Sequence, residues 1–151
     1  MYPLPVPAAP KPVHILLVED SPSDAKLIMV ALRDSTWPVQ VSHVMDGEKA
    51  LDFLRRRGAH ADAERPDIVV LDLNLPRKNG WEVLAEVKED ADLRAIPVAV
   101  LTTSAREEDV RKTYGLHANC YIQKPLDLFQ FMEAVRKLQE FWRLTVRLPH
   151  K

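Results

Sequence analysis

The stretch Pro66-Asp67-Ile68-Val69-Val70-Leu71-Asp72 decides the fold. The unbroken apolar run Ile68 to Leu71, preceded by Pro66-Asp67 and closed by Asp72, is too short for a helix. It lacks the polar alternation of a strand with one wet face. It reads as a strand buried on both faces, the kind used in parallel sheets. Upstream, Val13-His14-Ile15-Leu16-Leu17-Val18 repeats the pattern and stops at Glu19-Asp20. Val39 to Val44 is a further strand. Downstream, Pro97 introduces Val98 to Leu101, which runs into Thr102-Thr103-Ser104, and Asn119 to Gln123 ends at Lys124-Pro125.

Helical patterns separate these runs. Ser21-Pro22-Ser23 supplies a hydroxyl cap ahead of Asp24, and Ala25, Ile28, Met29 and Leu32 follow as one stripe. Asp46-Gly47 opens a helix with Ala50, Leu51 and Leu54 on one face. Pro76 to Gly80 reads as a loop, and Val83, Leu84 and Val87 mark a helix over 81–90. A polar helix with Glu107, Glu108, Asp109, Arg111 and Lys112 comes next, with Val110 and Tyr114 as its apolar pair. Asp127 caps a last helix reaching about Trp142. Five strands alternating with five helices predict right-handed βαβ units and an α/β, doubly wound parallel sheet covered on both faces.

Composition narrows the class. The chain has 151 residues, enough for one domain, and 46% are hydrophobic, enough for a full core. Lysine plus arginine (21) nearly cancels aspartate plus glutamate (22), so no basic field exists to grasp a nucleic acid. No run approaches the roughly 20 apolar residues of a membrane span. Residues 1–12 hold five prolines and no charged side chain before Lys11, which excludes a signal peptide and predicts a flexible leader. A single cysteine, Cys120, rules out an internal disulfide and reads as an inert buried thiol. The expectation is a cytoplasmic protein. The five histidines show no pair at metal-ligand spacing.

In open parallel sheets, ligands bind beyond the carboxyl ends of the strands. Glu19, Asp20, Asp72, Thr102 and Lys124 all fall there. Crowded carboxylates repel and raise proton affinity, and a divalent cation relieves this. Oxygen ligands without histidine or thiol suit Mg²⁺, with Asp20 and Asp72 as direct ligands and Glu19 acting through water. Lys124 offers a point charge and Thr102 a hydrogen-bond donor to a phosphoryl group, with Thr103 and Ser104 as alternatives to Thr102. Asp72 is the best nucleophile, since a carboxylate forms an acyl phosphate.

These pieces together resemble the receiver domain of bacterial two-component response regulators. They are Glu19-Asp20, Leu71-Asp72-Leu73-Asn74-Leu75-Pro76, Gly80, Leu101-Thr102-Thr103-Ser104 and Tyr121-Ile122-Gln123-Lys124-Pro125, within about residues 13–138. The resemblance implies strand order 2-1-3-4-5 and a histidine kinase as phosphoryl donor. It implies Asp72 as phosphoacceptor, Glu19 and Asp20 as the acidic metal pair, and a metal contact from the Asn74 main-chain carbonyl. It also implies movement of Thr102 towards the phosphate, a rotamer change at Tyr121, pairing of Lys124 with the phosphoryl group, and a cis bond between Lys124 and Pro125. Leu75-Pro76-Arg77-Lys78-Asn79-Gly80-Trp81, with Ser21-Pro22-Ser23-Asp24, is similar to stand-alone regulators paired with phytochrome-type kinases.

Residues 13–140 form the expected domain and 141–151 an extension. Phe141, Trp142, Leu144 and Val146 put apolar surface beyond the domain end, with Leu144, Val146 and Leu148 alternating as in a strand. That pattern predicts a homodimer arm. Nine residues after Trp142 leave no room for an output module, so output is expected through protein interaction or onward phosphotransfer. Three other classes compete. A phosphatase or phosphotransferase working through an aspartyl phosphate wants a second aspartate two positions past the nucleophile, where this chain has Asn74. A phosphorylation-independent binding module is expected to lose one of the acids or the lysine, and none is lost. A flavin domain wants a phosphate loop after the first strand, where Glu19-Asp20 would repel the phosphate.

Overall fold

A computed structural model describes residues 12–34, 38–124 and 127–144. The strands are β1 (Val13–Val18), β2 (Val39–Val44), β3 (Ile68–Leu71), β4 (Val98–Thr102) and β5 (Cys120–Gln123). The helices are α1 (Pro22–Arg33), α2 (Gly47–Arg55), α3 (Gly80–Glu89), α4 (Glu107–Gly115) and α5 (Leu128–Leu144). The strands form one sheet in the order β2-β1-β3-β4-β5. Every pairing is parallel, with Val18 level with Leu71 and Leu71 level with Val100. The α/β, flavodoxin-like architecture and the strand order are as expected.

The period-two geometry of a strand sends neighbouring side chains to opposite faces, and both faces here are apolar. Leu16, Val18, Val69, Leu71, Val98 and Val100 pack with Leu51, Leu54, Val83, Leu84 and Val87 of α2 and α3. Ile15, Leu17, Ile68, Val70, Ala99 and Leu101 pack with Ile28 and Leu32 of α1 and with Phe131, Val135 and Leu138 of α5. Continuous apolar runs in the sequence are therefore two interleaved half-cores. The layering leaves chemistry to the strand ends.

Caps set the helix starts. Ser21 Oγ accepts from the Asp24 amide at 3.3 Å, Asp46 Oδ1 from Lys49 at 2.8 Å, and Asn79 Oδ1 from Glu82 at 3.0 Å. Each satisfies an orphan donor of the first turn. The Asn79 cap starts α3 at Gly80 and not at Trp81. Asp127 caps α5, its Oδ1 accepting from the Gln130 amide at 3.0 Å. This helix runs to Leu144 rather than to about Trp142, so Leu144 is helical and not part of an extended arm. No glycine or proline interrupts residues 128–144, which leaves the last turn nothing to stop it. The side chains of Phe141, Trp142 and Leu144, all of Val146, and the Lys124–Pro125 bond lie outside the described residues.

Two glycines permit contacts that place the β3–α3 loop. A Cβ on Gly80 would lie 2.4 Å from the Asp72 carbonyl oxygen and 2.6 Å from Leu73 Cα, and its amide donates to the Leu73 carbonyl at 3.0 Å. A Cβ on Gly47 would lie 1.9 Å from the Lys78 carbonyl oxygen. The loop is thus clamped backbone to backbone at both ends. Gly80→Ala is expected to destabilise the fold by about 1–3 kcal/mol, because the obstructing atoms are main chain and yield poorly. Urea denaturation of wild type and variant measures it; an unchanged midpoint contradicts the clamp.

Candidate functional site

Four elements deliver the rim. Glu19 and Asp20 follow β1, Asp72 follows β3, Thr102 ends β4, and Lys124 follows β5. Glu19 (1% exposed), Asp72 (8%) and Lys124 (6%) are buried, whereas Asp20 is exposed. Buried ionisable groups persist only when paired. Lys124 Nζ accordingly donates to Glu19 Oε1, to Asp24 Oδ2 at 3.1 Å and to Asp72 Oδ2 at 3.2 Å. The other oxygen of Asp72, Oδ1, accepts from the Asn74 amide at 3.1 Å. Both carboxylate oxygens of Asp72 are oriented, one from each side.

Glu19, Asp20 and Asp72 each offer an oxygen such that all lie within 4.8 Å of one another. Glu19 Oε2 is buried with no hydrogen-bond partner. An orphaned carboxyl oxygen beside two further carboxylate oxygens fits a hard divalent cation, and the donor set holds no nitrogen or sulfur. Burial first, and then the neighbouring Asp72 carboxylate, raise the Glu19 carboxyl to about 8 against the pull of Lys124. Burial also pulls Lys124 down, but its bond to Glu19, the charges of Asp72 and Glu19, and its bond to Asp24 outweigh this. The net shift is upward and the ammonium stays charged. Carboxylates outnumber the one cation, and without a metal the surplus is met by a proton on the most buried acid.

Thr102 is fully buried, its hydroxyl accepting from the Ser104 amide at 3.4 Å and its carbonyl from the Lys124 amide at 2.6 Å. Tyr121 is half-buried, and its hydroxyl donates to the Ser104 carbonyl at 2.8 Å. Ser104 Oγ donates to Asp109 Oδ2 of α4 at 2.5 Å. The structure therefore joins Thr102, Tyr121 and α4 through Ser104, which the sequence offered only as a substitute for Thr102. Asp24 is a second residue the sequence left as helix-start chemistry. Its signal was position, one helical turn beyond Asp20 and so over the same rim. Trp81 donates from Nε1 to the buried Thr113 hydroxyl of α4 at 3.1 Å, with Lys112 Nζ 4.2 Å from its ring centroid. Asn74 is exposed, beside the cup.

A parallel sheet in this order with an acid trio facing one lysine defines a phosphoryl-signalling class. Residues 15–136 match the model of the response regulator receiver domain, and the chain belongs to that family. The chain is 46% identical over 138 residues to response regulator Rcp1 of Synechocystis sp., covering 91% of this chain and 94% of that protein. It superposes on the phosphorylated cyanobacterial phytochrome response regulator RcpA with a TM-score of 0.90 at 48% identity, covering 93% of this chain and 100% of that one. The Mn²⁺-bound form of Rcp1 gives 0.88 at 45% identity, with 92% and 100% covered. The chain is thus a receiver-domain response regulator similar to phytochrome-associated regulators. Receiver domains are signalling proteins that bind a divalent metal and are partnered by a histidine kinase. Among the described residues no helix is long and apolar enough to cross a membrane.

A cation must displace the proton held by the cup. Its binding at pH 7 is therefore expected to release protons, and its affinity to rise with pH and level off only above about 8, once Glu19 is ionised. Calorimetric titration in buffers of different ionisation enthalpy measures this. Glu19→Gln should flatten the dependence, and a pH-independent affinity in wild type contradicts the assignment.

Proposed function

We propose that the protein is a cytoplasmic phosphorylation switch in which Asp72 accepts a phosphoryl group from a histidine kinase of phytochrome type, with Mg²⁺ in the cup of Glu19, Asp20 and Asp72. The observation that carries it is the orientation of Asp72. Its carboxylate is fixed by the Asn74 amide and Lys124, at the tip of a central strand, beside two acids. One oxygen of Asp72 attacks phosphorus, the bond from phosphorus to the donor imidazole nitrogen breaks, and the electron pair leaves with that nitrogen. Lys124 neutralises charge on the transferring oxygens. Mg²⁺, when bound, supplies the remaining charge stabilisation, with the Asn74 carbonyl as a further ligand.

Thr102 and Tyr121 are the proposed readout. A hydroxyl drawn from Ser104 towards the phosphoryl group disturbs the loop that Tyr121 and Asp109 hold, and with it α4. Catalysis is confined to the protein's own phosphorylation and dephosphorylation. An enzyme turning over external phosphate esters would want an acid at position 74, and Asn74 exchanges no proton.

Intact mass after incubation with acetyl phosphate and Mg²⁺ tests this. One added phosphoryl group is expected, lost in Asp72→Asn; no gain in wild type, or a gain retained in the variant, sinks the reading. Association of two copies through the end of α5 and its extension, with Phe141, Trp142, Leu144 and Val146, belongs to the same proposal. Phe129, 81% exposed on α5, supports an apolar face on that helix. Light scattering should show a dimer reduced to a monomer by truncation after Glu140; equal oligomeric states count against the arm.

A further inference from the structure

We infer that Asp24 is a positioning residue for Lys124, the one carboxylate that keeps hold of the ammonium while its other partners change. This rests on the reading of Asp72 as the phosphoacceptor. An ammonium has three N–H donors. Three carboxylates take them, from Glu19, Asp24 and Asp72.

The three partners are not equivalent. Glu19 and Asp72 belong to the acidic cup, where a cation claims carboxylate oxygens. A phosphoryl group converts the Asp72 carboxylate into an acyl phosphate with new anionic oxygens. Both therefore change what they offer Lys124 during the reaction. Asp24 lies outside that trio, and its side chain is 37% exposed where Glu19 is 1%. Its backbone is fixed, since its amide donates to Ser21 Oγ and α1 is anchored through Ala25, Ile28, Ala31 and Leu32. Lysine carries its charge on a flexible four-carbon stem. Once a cation draws Glu19 away, the bond to Asp24 restrains that stem and leaves one donor for the phosphoryl oxygen. Pre-orientation of this kind lowers the ordering cost met at the transition state.

Electrostatics alone predicts the opposite sign. A carboxylate close to the reaction centre repels an anionic donor, so its removal should speed phosphorylation, most for the most highly charged donor. The test compares wild type, Asp24→Asn and Asp24→Ala with dianionic acetyl phosphate and with singly charged phosphoramidate, in Mg²⁺, by intact mass. Positioning predicts that Asp24→Ala slows both donors by the same factor, about tenfold. Asp24→Asn should fall between, because its amide oxygen still accepts one hydrogen bond. Mg²⁺ affinity by calorimetry should stay within about threefold of wild type, since Asp24 is no ligand.

Equal rates in all three proteins overturn the inference. So does a selective gain with acetyl phosphate, which marks a repelling charge. A parallel loss of Mg²⁺ affinity also overturns it, because the cup itself would then have collapsed; thermal unfolding of Asp24→Asn separates that case. Wild type that takes no phosphoryl group, or Asp72→Asn that still takes one, removes the underlying reading and the inference with it.

Discussion

The arrangement depends on one buried ammonium shared by acids from three chain segments. Lys124 follows β5, Glu19 follows β1, Asp72 follows β3, and Asp24 belongs to α1. Removing a charge from water is costly, and removing one partner of a buried pair is costlier still. The sheet must therefore hold β1, β3 and β5 in register for the lysine to be satisfied, and the lysine helps fix that register in return. It spans the gap left by β4, which lies between β3 and β5. Fold and chemistry meet in that single group.

From the rim, polar contacts lead outward. Thr102 of β4, Tyr121 of β5 and Asp109 of α4 all bond to Ser104. A second route leaves from the other side, where Gly80 sits on the backbone of Asp72 and the next residue, Trp81, bonds to Thr113. Both routes reach α4, one at its first turn and one near its last. A change of charge at Asp72 thus has two mechanical connections to the same helix, one through the hydrogen bonds of Ser104 and one through a close backbone approach followed by the Trp81–Thr113 bond.

Much of this was legible in the residues. Strands buried on both faces announce themselves as short apolar runs, which is why β1 begins and ends where expected. Glu19, Asp20, Asp72 and Lys124 stood out because charge at the end of an apolar strand is costly without a purpose. Asp24 did not, because an aspartate in a helix's first turn has an ordinary explanation in the helix dipole. Ser104 and Trp81 were passed over for a related reason. Tyr121 lies 17 residues from Ser104 and Thr113 lies 32 from Trp81, and local pattern carries no trace of such pairings. Leu144 read as part of an alternating tail because alternation over a few residues mimics a strand, whereas α5 runs through it unbroken.

α4 buries only Thr113 among its residues, with Val110 half-buried and Tyr114 exposed. Displacing it would trade hydrogen bonds for others while uncovering little apolar surface. Heat capacity changes scale with apolar exposure. An equilibrium between two placements of this helix would then carry a small heat capacity difference. Its enthalpy would be nearly the same at every temperature an organism meets, so its response to warming would follow one straight van't Hoff line and not the curved profile of an element that uncovers a core.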